Sequence, residues 1–199
     1  MKQLRKLLLP AITGIALSLA LISCDNAGTD NAGNDKTENK SSEEIAEEKN
    51  DAKFNTRAGE KEANFVTEAV SDHYAAIKFA QLAQQRSTDT KVKALARDLE
   101  KEQETQLSQL KSLANAKSIS VPNGENEEVQ KELSRLTDHK NFSNEWCKKM
   151  IDEQEETIRN YEKVANESVD ADIRDWAAKT LPDTRKKLDE LKQLNESNK

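Results

Sequence analysis

Aromatic and turn-forming residues are scarce in this chain. Aromatic side chains make up 4% of the 199 residues, and there are only 5 Gly, 3 Pro and 2 Cys. With a hydrophobic content of 35%, the core must be lean, and chains of this kind usually build such a core from helices. The abundant residues are Ala, Lys, Glu and Gln, which are strong helix formers. The composition therefore predicts an all-α domain.

Motifs for several common chemistries are also missing. The sequence contains no Gly-rich phosphate loop, no Cys-x-x-Cys pair, and no Ser or Cys nucleophile with a second inward His to activate it. The formal net charge is −6, and it falls to −9 once the three basic residues of the N-terminal leader are removed. Such a charge argues against a nucleic-acid partner. We therefore predict no catalytic residues and no enzymatic activity.

The N-terminus has the pattern of an export signal. A basic region is followed by an apolar run from Leu7 to Ile22, which ends in Leu21-Ile22-Ser23-Cys24. These last four residues resemble the lipobox of bacterial lipoproteins, in which the Cys is lipidated and becomes the first residue. The run is shorter than the roughly 20 residues of a spanning helix, and Pro10 interrupts it. We expect residues 1–23 to be a signal peptide and Cys24 to carry a covalent lipid such as palmitate.

A lipid on Cys24 defines the expected location and partners. The protein would be anchored to the inner or outer membrane of a bacterial cell envelope, facing the periplasm or the exterior. The membrane is then its first partner, while an envelope protein partner and self-association stay open. Cys147 would be the remaining thiol, which excludes an intrachain disulfide and fits a small buried apolar residue. Apart from the lipid, we expect no cofactor.

The segment after Cys24 differs from the rest in composition. Residues 24–58 are rich in Asn, Asp, Glu, Lys, Thr and Ser and nearly free of large apolar side chains, so we expect a disordered acidic tether. Within it, Ser41 to Lys53 favours a transient helix. Because this stretch lacks a hydrophobic stripe, we expect no fixed packing there. The folded domain is then residues 59–199.

Four long amphipathic segments follow the tether. Apolar residues recur at spacings of three and four and predict helices near 60–86, 91–116, 143–165 and 170–193. A short loop at 87–90 implies an antiparallel hairpin, whereas the connection from 117 to 144 is long enough to cross the bundle and suits a short helix at 125–137. The predicted fold is a four-helix bundle of two hairpins joined by a long crossover.

The two hairpins resemble each other when they are aligned at an offset of 81 residues. At this offset Ser87, Asp89 and Val92 coincide with Ser168, Asp170 and Ile173, without a gap. Both stretches precede an amphipathic helix and supply N-cap residues. We interpret the match as a duplicated helix pair.

One polar residue lies near the middle of each apolar stripe. These four residues coincide in pairs at the same offset and predict a single polar layer across the centre of the bundle. The layer consists of His73, Gln103, Gln154 and Thr184. An acidic residue precedes each of them, on the edge of the stripe. These acidic residues are Asp72, Glu102, Glu153 and Asp183.

A four-helix scaffold with inward carboxylates is the kind that di-iron and di-manganese sites use, with Glu and Glu-x-x-His ligand sets. This chain offers one inward His, and none of the predicted helices carries Glu-x-x-His. We therefore predict no metal and interpret the layer as a hydrogen-bonded register device. If a metal does bind, its candidate ligands are Asp72, His73, Glu102, Glu153 and Asp183.

The order and spacing of several short motifs resemble the bacterial exported proteins of domain of unknown function 4142. The clearest motifs are Phe65-Val66, Val92-Lys93-Ala94-Leu95-Ala96, Trp176-Ala177 and Lys179-Thr180-Leu181-Pro182. The resemblance covers residues 64–194 and implies a ferritin-like bundle without an established activity. Many members have Asp-His where this chain has Glu102-Gln103 and Glu153-Gln154, and often a Glu at Ala76. We therefore expect a lipid-anchored binding or structural module, and the alternative is a ferritin-like metal-binding protein in stress defence.

Overall fold

The computed structural model describes residues 40–197. The predicted signal peptide, Cys24 and the first part of the predicted tether lie outside these residues. Over the described range the chain forms six helices and no strand. In chain order they are α1 (Ser42–Lys53), α2 (Arg57–Arg86), α3 (Thr90–Lys117), α4 (Glu127–Thr137), α5 (Phe142–Glu167) and α6 (Ala171–Ser197).

The four long helices form a bundle of two hairpins. α2 packs along α3 and α5 along α6, while α2 also contacts α5 and α3 contacts α6. At one end the rings of Phe65 and Tyr161 are 5.9 Å apart, and at the other end Trp146 Nε1 donates to the carbonyl of Phe79. These contacts make α2 and α5 antiparallel, so the four helices run up, down, down and up. The all-α, ferritin-like architecture with a long crossover is confirmed.

The crossover follows the bundle from the end of α3 to the start of α5. Ser118 ends α3 in the left-handed conformation, with φ of 55°. The Asn126 side chain then caps α4 by accepting from the amide of Val129. α4 lies against the far end of the bundle, where Leu133 packs on the core and Arg86 donates to the carbonyl of Thr137.

The two hairpin turns have the same local structure. Asp89 Oδ1 accepts from the amide of Val92 at the start of α3, and Asp170 Oδ1 accepts from the amide of Ile173 at the start of α6. An Asp at the N-cap satisfies amides that have no partner within the helix. The repeated sequence pattern therefore corresponds to a repeated turn.

α1 differs from the expected tether because it packs against α2. Ala46 and Asn50 of α1 are buried. Asn50 Nδ2 donates to Thr67 Oγ1 over 3.0 Å and to the carbonyl of Ser120 over 2.9 Å, while its Oδ1 accepts from the amide of Ser120. The expectation of no fixed packing at residues 41–53 is thus wrong. Side-chain hydrogen bonds hold this helix where an apolar stripe is missing.

The core is divided into two apolar clusters. One contains Tyr161 and Trp176 near the loop that joins α5 to α6, and the other contains Trp146 and Met150 near α4. The polar residues near the middle of each long helix belong to neither cluster. Among residues 40–197, no helix has the length and apolarity needed to span a bilayer.

Candidate functional site

The four predicted layer residues are buried inside the bundle. His73, Gln103, Gln154 and Thr184 are each between 1% and 4% exposed. They are contributed by α2, α3, α5 and α6 in turn. A polar group buried this deeply needs a hydrogen-bond partner, because it has lost its water.

His73 is held on both sides of its ring. Its Nδ1 lies 2.5 Å from Gln103 Oε1, and its Nε2 lies 3.2 Å from the hydroxyl of Tyr161. An amide oxygen only accepts, so Nδ1 carries the proton and Nε2 accepts from Tyr161. Burial lowers the pKa of His73 to about 4, and the Gln103 contact opposes this shift only in part. His73 is therefore neutral at physiological pH.

Tyr161 belongs to this site and was not among the predicted site residues. It is buried, and its burial, together with the charge of Asp72, raises the pKa of its hydroxyl far above the ordinary value. It lies seven residues after Gln154, which is two turns along the same face of α5. That spacing was the available signal, but an aromatic residue on an apolar stripe is usually core.

The other two layer residues do not join the His73 network. Thr184 Oγ1 donates to the carbonyl of Thr180, one turn earlier in its own helix. Gln154 Oε1 has no hydrogen-bond partner among the described residues. All four residues of the predicted layer are thus buried, but only His73 and Gln103 are bonded to each other.

The four acidic candidates lie on two opposite sides of the bundle. Asp72 is on α2 and experiences the charge of Glu153 on α5, whereas Glu102 on α3 experiences the charge of Asp183 on α6. Glu153 also forms an ion pair with Lys149 over 2.7 Å. The pairs therefore belong to separate interfaces and do not converge on His73.

The candidate metal ligands are not arranged as a metal centre. Among residues 40–197, no group of three or more His, Cys, Asp or Glu side chains is placed to hold a metal ion. Both nitrogens of His73 are engaged, and Glu102 is 3.7 Å from the buried ammonium of Lys187. The described residues do not fit a di-iron or di-manganese centre.

The two remaining side chains with potential chemistry are Cys147 and His139. Cys147 is buried, and burial followed by the charge of Asp89 raises the pKa of its thiol to about 11. A thiol with so high a pKa is a poor nucleophile. His139 is exposed between α4 and α5, and its Nδ1 accepts from the amide of Asn141.

The antiparallel hairpins, the long crossover and the central level of buried polar residues define a ferritin-like helical-bundle protein. Its fold resembles that of a DUF305 fragment from Deinococcus radiodurans, with a TM-score of 0.60, 17% identity, and coverage of 69% of this chain and 96% of that chain. The chain belongs to the family described as domain of unknown function (DUF4142), whose model matches residues 47–194.

Two further solved structures share the fold. CopM in its Cu(I)-bound form has a TM-score of 0.59 and 18% identity, and the match covers 68% of this chain and 96% of that chain. The Cu(II)-bound form of CopM gives a TM-score of 0.60 at the same identity and coverage. At such identity the likeness is one of fold. None of the curated proteins matches the sequence.

Proposed function

We propose that this protein is a lipid-anchored component of the bacterial cell envelope whose helical bundle serves as a binding or structural module without catalytic activity. The observation that carries the proposal is the state of His73. Its two ring nitrogens are both hydrogen-bonded, and its pKa is lowered to about 4 by burial. A general base or a metal ligand needs a free nitrogen lone pair. The central imidazole thus acts as a structural residue.

The anchor is supported by the sequence Leu21-Ile22-Ser23-Cys24 after a basic and apolar leader. Replacing Cys24 by Ser removes the thiol that would carry the lipid. We expect Cys24→Ser to move the protein from the membrane fraction to the soluble fraction and to abolish its labelling with palmitate. Cys147→Ala is the matched control, because it removes the buried thiol and should leave both properties unchanged.

Retention of Cys24→Ser in washed membranes would contradict the anchor. The binding role is tested separately, by cross-linking the anchored protein in intact envelopes and identifying the adducts. A specific partner, or a second copy of this chain, is the expected product. Protein that stays uncross-linked in envelopes and strictly monomeric by light scattering would count against a protein-binding role.

A metal-binding role in stress defence is the second candidate. The observation in its favour is that CopM, solved with copper bound, has a similar fold. The donor set argues against a site of the ferritin type, because the five candidate ligands do not converge. Metal analysis of protein purified with iron, manganese, zinc or copper separates the two functions. Stoichiometric metal that is lost in His73→Ala would overturn our preferred function.

A further inference from the structure

The crossover contains the sole Asn-Gly pair of the sequence, Asn123-Gly124. The pair forms a bend between the end of α3 and the start of α4, where Asn123 is exposed and the preceding Pro122 is buried. Neither Asn123 nor Gly124 forms a hydrogen bond with any residue of the range 40–197. The side-chain amide of Asn123 and the main-chain amide of Gly124 are therefore both free to react.

The other asparagines in residues 40–197 are less well placed, because none of them is followed by Gly. Asn115 lies inside α3, where the amide of the next residue donates within the helix. Asn55 is exposed in the loop between α1 and α2, but the β-branched Thr56 follows it and restricts the approach of its own amide. Within the described range, Asn123 thus combines an exposed side chain with the least hindered neighbour.

The reaction that an Asn-Gly pair supports is an intramolecular loss of ammonia. Glycine has the widest choice of main-chain angles, so the Gly124 nitrogen can reach Asn123 Cγ. This nitrogen gives up its proton and bonds to Cγ, the Cγ–Nδ2 bond breaks, and Nδ2 leaves as ammonia with that proton. Water then opens the cyclic imide at one of its two carbonyls and leaves Asp or isoaspartate at position 123. One water is consumed and one ammonia is released, with no change in oxidation state.

Asn123 lies midway between the two crossover residues that hold α1. Ser120 is bonded to Asn50 through both its carbonyl and its amide, and Asn126 Nδ2 donates to Glu43 Oε2 over 3.1 Å. Ser120 and Asn126 are each three residues away from Asn123. A change at Asn123 therefore acts on the segment that fixes α1 at two places along its length.

α1 already carries an excess of negative charge. Its sequence from Ser42 to Lys53 contains five carboxylates and two lysines. Burial, followed by the charges of Glu43 and Glu68, raises the pKa of Glu47, which shows that like charges meet where α1 packs on α2. A new carboxylate in the segment that holds α1 adds to this repulsion. Isoaspartate also lengthens the main chain by one methylene group.

We propose that Asn123 is a site of self-catalysed deamidation, and that the carboxylate formed there loosens the docking of α1. The reaction requires no enzyme, because the reactants are one side chain, the next main-chain amide and water. Each molecule undergoes it once, so the state of α1 records the age of the protein. This inference is independent of the lipid anchor and of the proposed role of the bundle.

Mass spectrometry of aged protein tests the reaction. The full chain is purified in detergent and kept at mildly alkaline pH for weeks, and trypsin then releases the peptide 118–131, which contains both Asn123 and Asn126. We expect Asn123 to gain the mass difference between an amide and an acid, in two chromatographic forms, while Asn126 stays unchanged. Gly124→Ala should slow the gain at least about tenfold. A Cβ at position 124 meets no atom within 4 Å, so this variant keeps the loop.

Hydrogen exchange tests the effect on α1. Asn123→Asp supplies the charge of one product without ageing, and Asn123→Gln is the matched neutral variant. At low salt, the α1 amides should exchange about two- to fivefold faster in Asn123→Asp than in Asn123→Gln, the effect of one exposed charge, and added salt should reduce this difference. No mass gain at Asn123, an equal gain at Asn126, or equal exchange of α1 in the two variants at low salt would overturn the proposal.

Discussion

His73 is a titratable residue used as a neutral structural element. Its Nε2 accepts from the Tyr161 hydroxyl and its Nδ1 donates to Gln103 Oε1, so both ring nitrogens are hydrogen-bonded. Neither of these two partners carries a charge. Protonation would replace the accepting lone pair of Nε2 with a second N–H that faces a hydroxyl. The side chain is therefore stable in one protonation state, and this makes the fold sensitive to acid.

We predict that His73 lowers stability as the pH falls. Its pKa is about 4 in the folded protein and about 6.5 when exposed, so the unfolded chain binds the proton first. The free energy of unfolding should lose roughly 2 kcal/mol between about pH 7 and pH 5 on account of this residue. In His73→Gln this component of the pH dependence should be absent. Urea unfolding at both pH values measures it.

The exposed His139 is the control for this prediction. His139→Gln is the matched substitution at an exposed histidine, and its unfolding free energy at both pH values is compared with that of His73→Gln. The carboxylates are unchanged in all three proteins, so their contribution cancels in the comparison. Identical pH profiles for the unaltered protein and His73→Gln would show that the His73 pKa is not depressed.

A second prediction concerns the hydroxyl of Tyr161. Tyr161→Phe leaves Nε2 of His73 buried without a donor, which should cost about 1–3 kcal/mol of unfolding free energy. Tyr74→Phe also removes a hydroxyl from a hydrogen bond, the one with Lys111 Nζ, but at a partly exposed position. Its cost should stay within about 0.5 kcal/mol. Equal losses by thermal or urea unfolding would contradict the role of Tyr161.

The sequence predicted an inward-facing polar residue at His73, because a polar side chain on an apolar stripe interrupts the helical pattern. It did not predict Tyr161 or the indole N–H of Trp176, which has no partner among the described residues, because an aromatic side chain on a stripe has the pattern of ordinary core. Whether its polar atom finds a partner depends on a residue from another helix. Helical periodicity carries no information on that pairing.

Among the elements, α1 departs most from what its sequence indicates. Its contact with α2 is antiparallel, since Glu43 accepts from the hydroxyl of Ser71 near one end and Asn50 reaches Thr67 near the other. A single asparagine thus joins α1, α2 and the start of the crossover. Sequence patterns predict helices held by apolar stripes, and α1 is held by side-chain hydrogen bonds that no periodicity reveals.

We predict that Asn50→Ala undocks α1 while leaving the bundle folded. The change removes three hydrogen bonds and leaves the amide of Ser120 without its partner, while the carbonyl of Ser120 keeps the Thr67 hydroxyl. The free energy needed to separate α1 from α2 should fall by about 1–3 kcal/mol. The amides of α1 should therefore exchange hydrogen much faster. Hydrogen exchange followed by mass spectrometry of peptides from α1 and α3 measures both regions.

The nearby Asn55 provides the control, because it is exposed in the loop between α1 and α2. Asn55→Ala should leave the exchange of α1 unchanged. If Asn50→Ala accelerates exchange in α3 to the same degree as in α1, then α1 is part of the global folding unit, and our assignment of it as a separately docked helix fails.

At the scale of the whole molecule, the duplicated hairpins bring the carboxylates that correspond in the repeat to the same interface, and the two resulting pairs lie on opposite sides of the bundle. Asp72 and Glu153 meet at the α2–α5 interface, and Glu102 and Asp183 meet at the α3–α6 interface. The sequence predicted the hairpins and the crossover from loop lengths. It did not predict this separation, because a helical wheel places a residue at the edge of a stripe without naming the helix it faces.

The acidic surface around Asp72 leads to a prediction of its own. Packing of the surrounding helices and the charges of Glu153 and Glu43 raise the pKa of Asp72 to about 7, although the residue is exposed and water screens part of the repulsion. Ionised Asp72 therefore destabilises the fold. Asp72→Asn should raise the unfolding free energy at about pH 8, and the gain should shrink toward pH 4, where Asp72 itself is protonated.

Chemical denaturation at low and high salt checks this prediction, since added salt should reduce the gain. The exposed Asp175 is the control, and Asp175→Asn should change stability little, as is usual for a surface substitution. A loss of stability in Asp72→Asn at about pH 8 would show that Asp72 makes a favourable contact that outweighs the repulsion.

The antiparallel docking of α1 determines how the molecule responds to mechanical force. A pull on the N-terminal side of the chain loads α1 before any other described helix, and it does so by unzipping, one contact at a time. We expect the bonds of Glu43 to Ser71 and Asn126 to break before those of Asn50, because Glu43 lies nearer the end that is pulled. We therefore expect α1 to lengthen the chain under tension while the four-helix core stays closed.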